Sequence, residues 1–477
     1  MSYNLLIIGC SYGACLLYSV SFTDLGSKNL SIWAWCILYT FLGSSFLRYL
    51  GKDAPNQLLR KEALAIVGFS WIGCSLVGSL PYILIGGCSP VDAFFESASG
   101  FTTTGASIFS DIESIPPDLL FWRSMTQWIG GLGMITLFVF IVTLQGPGSK
   151  FLFKGESSVQ MRDLGSSTVR EGIRDIVLVY LFLSVVCCLA FYWCGMSMTD
   201  AVCHMFATVS TGGFSTHSES IAFFQSPGIE WACILFMLLG GTNFPALVHL
   251  FIYRKGRIHS EIIFYFLSFF LFSAIIVITM KVADGSIQGM GQMIREAAFQ
   301  VASIMTSTGF ASTDYEQWIP AEHMILMTAM VIGGCTGSTA GGLKGMRILI
   351  ALRICLANLE SAFRPNVVRS MDAFGITLTD QDREDTLNYI FILTVICFAA
   401  MPTLAVLEPM MSEEGVKSSV LACLFNVGPG FAEVGATDNY GFMGDPSKIL
   451  LSLIMIMGRV EVYAILAFLL PSFWKKN

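Results

Sequence analysis

Residues 93–107 read AFFESASGFTTTGAS, and the same pattern returns three more times. It recurs at 201–216 (AVCHMFATVSTGGFST), 297–313 (AAFQVASIMTSTGFAST) and 418–437 (SSVLACLFNVGPGFAEVGAT). In each, a short apolar stretch runs into a small polar run around a glycine: Gly105, Gly212, Gly309 and Gly428. Internal repeats of this kind decide an architecture before any other feature. The apolar stretch before each glycine is far shorter than the ~20 residues a membrane-crossing helix needs. A helix that enters halfway and returns as extended chain fits it.

The chain of 477 residues is 54% hydrophobic and only 13% charged, against about 25% charged in soluble domains. Long apolar runs flank every repeat, so the expected fold is an all-α polytopic membrane protein with four helix–pore loop–helix repeats around one pseudo-fourfold pore. Expected spans are 62–86 and 117–144, 173–195 and 228–252, 262–282 and 320–351, 386–408 and 447–471. Two further helices at 3–23 and 31–50 precede them and make ten. The organisation is a two-helix segment (1–55) and then repeats at 56–150, 151–258, 259–370 and 371–477. Their pore loops fall near 92–107, 200–216, 294–312 and 416–432. Residues 1–20 lack a basic start and a small-residue cleavage site, so they read as a retained helix. The 14 cysteines sit mostly in apolar runs with no paired spacing and read as buried free thiols.

Lys and Arg cluster in alternate loops: Arg48 to Lys61, Lys150 to Arg174, Arg254 to Arg257, Lys344 to Arg383, and Lys475 with Lys476. The stretches 88–118 and 196–230 hold acids but no Lys or Arg. The positive-inside rule puts both termini in the cytoplasm and the glycine-rich loops on the outer side.

Non-helical backbone at membrane depth is tolerated only where it is buried or lines water. A monovalent cation that sheds water needs replacement oxygens, which rings of carbonyls and Thr hydroxyls supply. Glycine permits the backbone conformations this requires, and each half-helix turns its negative C-terminal end toward the ion. Divalent cations would want carboxylates, and only Glu433 closely follows a filter glycine. Glu96 and Gln300, nine residues before their glycines, read either as hydrogen-bonding the backs of the loops or as plain helix-start residues. Each repeat's second helix also carries a glycine pair or its remnant: Gly130-Gly131, Gly240-Gly241, Gly333-Gly334 and Gly458-Arg459. Close helix packing explains any one pair; four in register point to positions around one axis.

The run 121–134 (FWRSMTQWIGGLGM), the loops around TTTGA, STGGFST, TSTGF and NVGPGF, and 457–461 (MGRVE) together resemble the TrkH/TrkG/KtrB superfamily of K+ transporters. The resemblance spans essentially the whole chain, and the two extra N-terminal helices bring its layout nearest TrkH. It implies a K+ filter formed by Thr103, Thr104, Gly105, Ser210, Thr211, Gly212, Ser307, Thr308, Gly309, Asn426, Val427 and Gly428. Relatives from plants with serine at the first filter glycine favour Na+; Gly105 here implies K+. The fourth loop, with Asn426 and Val427, departs from the Thr/Ser style and makes the filter asymmetric. The resemblance further implies K+ as the transported ion with no organic cofactor, homodimers, a bacterial inner-membrane location, and a cytoplasmic TrkA-like ring of Rossmann nucleotide-binding subunits that gates the pore. No nucleic-acid partner is expected. The chain has no nucleotide motif of its own; Gly131-Leu132-Gly133 lies in mid-helix without the strand a dinucleotide site needs.

Residues 333–344 (GGCTGSTAGGLK) cannot form a robust lipid-facing helix. A kink from glycine packing is one reading; the resemblance implies instead an intramembrane gate comprising Gly333, Gly334, Thr336, Gly337, Ser338, Thr339, Ala340, Gly341, Gly342 and the anchoring Lys344. Arg459 lies in the middle of the expected last span, where a charge is costly. It reads as a pore-facing residue that contacts this loop and repels cations. The gate therefore falls in the last two repeats. A K+/H+ or K+/Na+ symporter and a poorly selective channel stay open. An enzyme does not: the five histidines form no HExxH or metal cluster, and no nucleophile motif with a plausible Ser-His pairing stands out.

Overall fold

A computed structural model describes residues 1–22, 27–52, 60–144, 169–254, 260–284, 289–364, 372–373, 376–377, 380–460 and 462–475. The described chain is helical apart from one two-rung antiparallel hairpin, Asp372–Ala373 with Ile376–Thr377. Six of its helices are long and apolar enough to cross a bilayer: Ser2–Ser21, Asn29–Leu50, Lys61–Leu84, Glu171–Trp193, Ser260–Val282 and Gln381–Leu407. The first two form the N-terminal pair. It docks on the first repeat through buried polar ties: Trp33 Nε1 donates to Asp118 at 2.8 Å and the Tyr12 hydroxyl to the Val77 carbonyl at 2.7 Å.

Each repeat has a leading helix, a half-helix and a trailing helix. The half-helices are Pro90–Phe101, Met198–Val209, Met290–Met305 and Glu413–Leu424. Three begin on a serine, Ser89, Ser197 or Ser412, whose hydroxyl accepts the N–H of Asp92, Asp200 or Gly415. That caps an otherwise unpaired donor. The third starts at Gly289 without a side-chain cap.

Only the first trailing helix, Pro117–Leu144, runs unbroken. The third is interrupted between Pro320–Ile332 and Gly345–Phe363, as the glycine run led us to expect. Two other spans expected to be continuous are not. The span expected at 228–252 bends by 104° between Pro227–Gly240 and Phe244–Phe251. Asn243 caps the second piece by accepting from Ala246 N–H, with Pro245 in its first turn; proline is tolerated there because it has no N–H to leave unpaired. The span expected at 447–471 breaks after Arg459 and resumes at Tyr463–Leu469. Arg459 therefore ends a helix rather than sitting inside one.

The repeats close into a ring through buried or partly buried polar contacts at every junction. Arg123 Nη1 of the first donates to the Ser215 carbonyl of the second (2.9 Å). Arg295 of the third pairs with Glu230 of the second (2.8 Å). Tyr315 of the third donates to the Gly430 carbonyl of the fourth (3.0 Å). Lys448 of the fourth pairs with Asp92 of the first (2.5 Å).

Candidate functional site

At the end of each half-helix the chain leaves the helix by the same route. Thr104, Gly212, Thr308 and Val427 donate their N–H to Ser99, Ala207, Ser303 and Ala422, at 2.7–2.9 Å. The residue before each is left-handed although it carries a side chain: Thr103 (φ 52°), Thr211 (53°), Ser307 (54°) and Asn426 (54°). Such a conformation costs about 1–2 kcal/mol per residue, and its fourfold repetition marks a functional element. The residue after each is a left-handed glycine: Gly105 (φ 86°), Gly213 (82°), Gly309 (81°) and Gly428 (95°).

This corrects the register of the second loop by one residue. Gly213, not Gly212, matches the other three glycines, while Gly212 takes the place of Thr104, Thr308 and Val427. The same step reveals a position that sequence alignment on Gly212 hides. Nine residues before each ring glycine stand Glu96, His204, Gln300 and Ser419. The first three do hydrogen-bond the backs of their own loops. Glu96 accepts from Ile108 N–H (2.9 Å), His204 Nε2 meets Ser215 Oγ (3.0 Å), and Gln300 Nε2 donates to the Thr313 carbonyl (3.4 Å). In the fourth repeat the neighbouring Ser418 takes over, accepting from Phe431 N–H at 2.9 Å.

The four loops meet in cyclic order. A Cβ on Gly105 would overlap the Gly212 carbonyl oxygen, one on Gly213 the Thr308 oxygen, one on Gly309 the Val427 oxygen, and one on Gly428 the Thr104 oxygen. Each repeat's glycine thus faces a carbonyl of the next, and the fourth faces the first. All twelve residues expected at the filter are buried or nearly so. Ser210 turns its hydroxyl back to the Phe206 carbonyl (2.6 Å). Glu433 is turned away from the ring and caps Ser412, accepting its N–H (2.9 Å) and hydroxyl (2.8 Å).

The trailing-helix glycines sit against this assembly. A side chain on Gly130 would strike the Phe101 carbonyl, on Gly131 Ser210, on Gly241 Thr306, and on Gly458 the Leu424 carbonyl. They let the trailing helices approach the half-helix ends of their own repeat and the next.

The interrupted segment 333–344 lies directly beneath the loops. Gly341 N–H donates to Ser307 Oγ (2.6 Å), Gly342 N–H to the Phe425 carbonyl (3.2 Å), and Thr211 Oγ1 to Thr339 Oγ1 (3.1 Å). The bend in the second repeat holds its other side. Cys335 N–H donates to the Gly241 carbonyl (2.8 Å), Asn243 Nδ2 to the Thr336 carbonyl (2.7 Å), and Phe244 N–H to the Gly337 carbonyl (3.1 Å). Glu261 Oε1 accepts from both Thr336 N–H (2.7 Å) and Met346 N–H (3.1 Å), clamping the two ends of the segment. Within the segment, Ser338 Oγ accepts from Ala340 N–H (3.2 Å), and Gly333 packs on Gly342. Lys344 is left-handed (φ 69°) and buried at the start of the next helix. Arg459 reaches the segment: its Nη1 donates to the Thr339 carbonyl at 2.6 Å. Its Nε and Nη2 are buried without a hydrogen-bond partner among the described residues.

Sequence reading missed Arg123, Gln127, Glu261 and the bend at 241–243. Arg123 is 2% exposed, pairs with Glu96 at 2.6 Å and lies over the Phe214 ring at 3.7 Å. A lone arginine and a glutamine inside an apolar span were the available signal.

A re-entrant ring of this kind inside a multi-helix apolar chain defines a membrane transport protein rather than an enzyme. The profile of the TrkH family, described as cation transport protein, matches residues 36–476, and the chain belongs to that family. It is 33% identical over 439 residues to the Trk system potassium uptake protein TrkH of Escherichia coli K12, covering 91% of this chain and 90% of that one. It is 32% identical over 442 residues to TrkH of Halomonas elongata (91% and 90%). With TrkG of Escherichia coli K12 it shares 32% over 435 residues (90% and 88%). The crystal structure of the potassium transporter TrkH from Vibrio parahaemolyticus superposes with a TM-score of 0.88 at 26% identity, over 99% of this chain and 98% of that one.

Proposed function

We propose that the chain is a gated K+ uptake protein of the bacterial inner membrane, conducting K+ down its electrochemical gradient through the four-loop ring. The observation that carries this is the cyclic closure of Thr104, Gly212, Thr308 and Val427 against the glycine of a neighbouring repeat. Neutral carbonyls can replace a monovalent ion's water shell. Among the described residues no three His, Cys, Asp or Glu side chains are grouped to hold a metal, whereas a divalent site would want carboxylates.

The segment 333–344, held at Ser307 and Thr211, is the gate. Arg459 locks it and sets a positive charge beneath the ring. A cation approaching to about 4 Å of that charge meets roughly 4 kcal/mol of repulsion at an effective dielectric of ~20. Driving force requires no coupling ion, since ~100 mV supplies about 2.3 kcal/mol per charge, enough for roughly 50-fold accumulation. Both termini lie in the cytoplasm on this reading. The chain works as a homodimer beneath which a nucleotide-binding ring acts on the segment.

The test is the reversal potential of the purified chain in a planar bilayer, with K+ on one side and Na+ on the other. At equal concentrations it is predicted to lie far from zero, with the K+ side negative, as a high K+ to Na+ permeability ratio requires; a value near zero would favour the poorly selective reading.

A further inference from the structure

Three loops carry a side chain at the residue before the ring glycine: Thr104, Thr308 and Val427. The second carries Gly212. Backbone conformation does not demand it, because Gly212 is absent from the left-handed residues while its neighbour Gly213 is among them. What demands it is a side chain from another repeat. A Cβ on Gly212 would lie 2.5 Å from Gln127 Cδ and 2.6 Å from its Oε1, well inside contact.

Gln127 lies on the first trailing helix and is fully buried. Its Nε2 donates to the Gly212 carbonyl at 2.6 Å, and its Oε1 accepts from Phe214 N–H at 3.0 Å. The amide orientation is fixed by chemistry, since a carbonyl needs a donor and an N–H needs an acceptor. The two bonds straddle Gly213. In the other repeats the position three residues before the glycine pair is Met237, Met330 or Met455, all buried. Loops one and three instead tie the equivalent threonine locally: Thr104 Oγ1 to Thr102 Oγ1 and Thr308 Oγ1 to Thr306 Oγ1, both at 2.7 Å. Loop two has no such hydroxyl.

We propose that Gln127 is a selectivity-determining positioning residue. It replaces the missing side chain of the second loop and holds the Gly212 carbonyl at the spacing a K+-sized ion requires. This rests on the filter reading above. Discrimination against a smaller ion depends on carbonyls that do not collapse inward, and a carbonyl whose oxygen is also held by an amide N–H resists that. The clamp and Gly212 form one unit: either change alone breaks the fit, and both together rebuild the arrangement at the third loop, where Thr308 stands in the loop and Met237, on the trailing helix of the second repeat, has the offset of Gln127.

The experiment is radioactive Rb+ uptake into liposomes holding the full chain, with Na+ as competitor and folded protein normalised by size-exclusion profile. Gln127→Met removes both hydrogen bonds while keeping an unbranched side chain of similar length. It is predicted to carry Rb+ but to be inhibited by about three- to tenfold less Na+, the equivalent of one net hydrogen bond. Gly212→Thr alone should lose most uptake. Gln127→Met with Gly212→Thr should recover both uptake and Na+ resistance. Unchanged Na+ competition in Gln127→Met, or a double variant no better than Gly212→Thr, would overturn the clamp while leaving the filter intact. A parent chain that carries no Rb+ with or without a regulatory partner would overturn the filter reading and the clamp with it.

Discussion

Arg123 and Glu96 form a fully desolvated ion pair that ties the first half-helix, the first trailing helix and the second loop together. Removing one partner from a buried pair strands the other charge, at a cost of about 3–5 kcal/mol. Glu96→Ala should therefore lower the melting temperature of the detergent-solubilised chain markedly, whereas replacing the exposed Glu413, 83% accessible, should leave it nearly unchanged. Equal shifts would show that the pair does not brace the ring. Arg459 makes a contrasting case. It has one bond to the segment 333–344 and two nitrogens without a hydrogen-bond partner among the described residues, so on the proposed reading its worth lies in the charge rather than in packing. Arg459→Ala is expected to raise basal flux in reconstituted vesicles without any regulatory partner; unchanged flux would remove it from the gate. The glycines were legible at this scale because few other residues fit the left-handed turn. The one-residue slip at Gly212 was not, since a Gly-Gly pair reads alike in both registers until φ separates them.

Among the elements, the interrupted segment 333–344 was readable from composition: small and hydroxylated residues in a row cannot sustain a lipid-facing helix. What holds it was not. Glu261 lies on the leading helix of the same repeat, far away in sequence, and the bend at 241–243 hides within an apolar run. In retrospect Asn243 followed by Pro245 is a helix-start signature, overridden by the surrounding hydropathy. The break after Arg459 has no comparable proline or asparagine. The segment proposed as the gate is consequently held by the second and fourth repeats as well as its own, with the second supplying a backbone cradle. Glu261→Ala would leave two buried N–H groups unpaired, each costing about 1–3 kcal/mol. Basal flux is predicted to rise severalfold, with little loss of K+ preference because the ring itself is untouched. A change in selectivity instead would place Glu261 at the filter.

For the whole molecule, fourfold closure organises everything else. The half-helices converge, the trailing helices approach through glycine, and polar pairs lock each junction from Arg123–Ser215 round to Lys448–Asp92. The ring is unequal by construction: loop two borrows Gln127, loop four uses Asn426 and Val427, and three of the loop ends are hydrogen-bonded to the segment 333–344. The central claim is that this ring passes K+ in preference to Na+. The most direct measurement is uptake of radioactive Rb+ by liposomes containing only the purified chain, under an inside-negative potential. Uptake that is saturable, displaced by K+ and far less by Na+ is the predicted result. No uptake with or without a regulatory partner, or equal displacement by both ions, would contradict it.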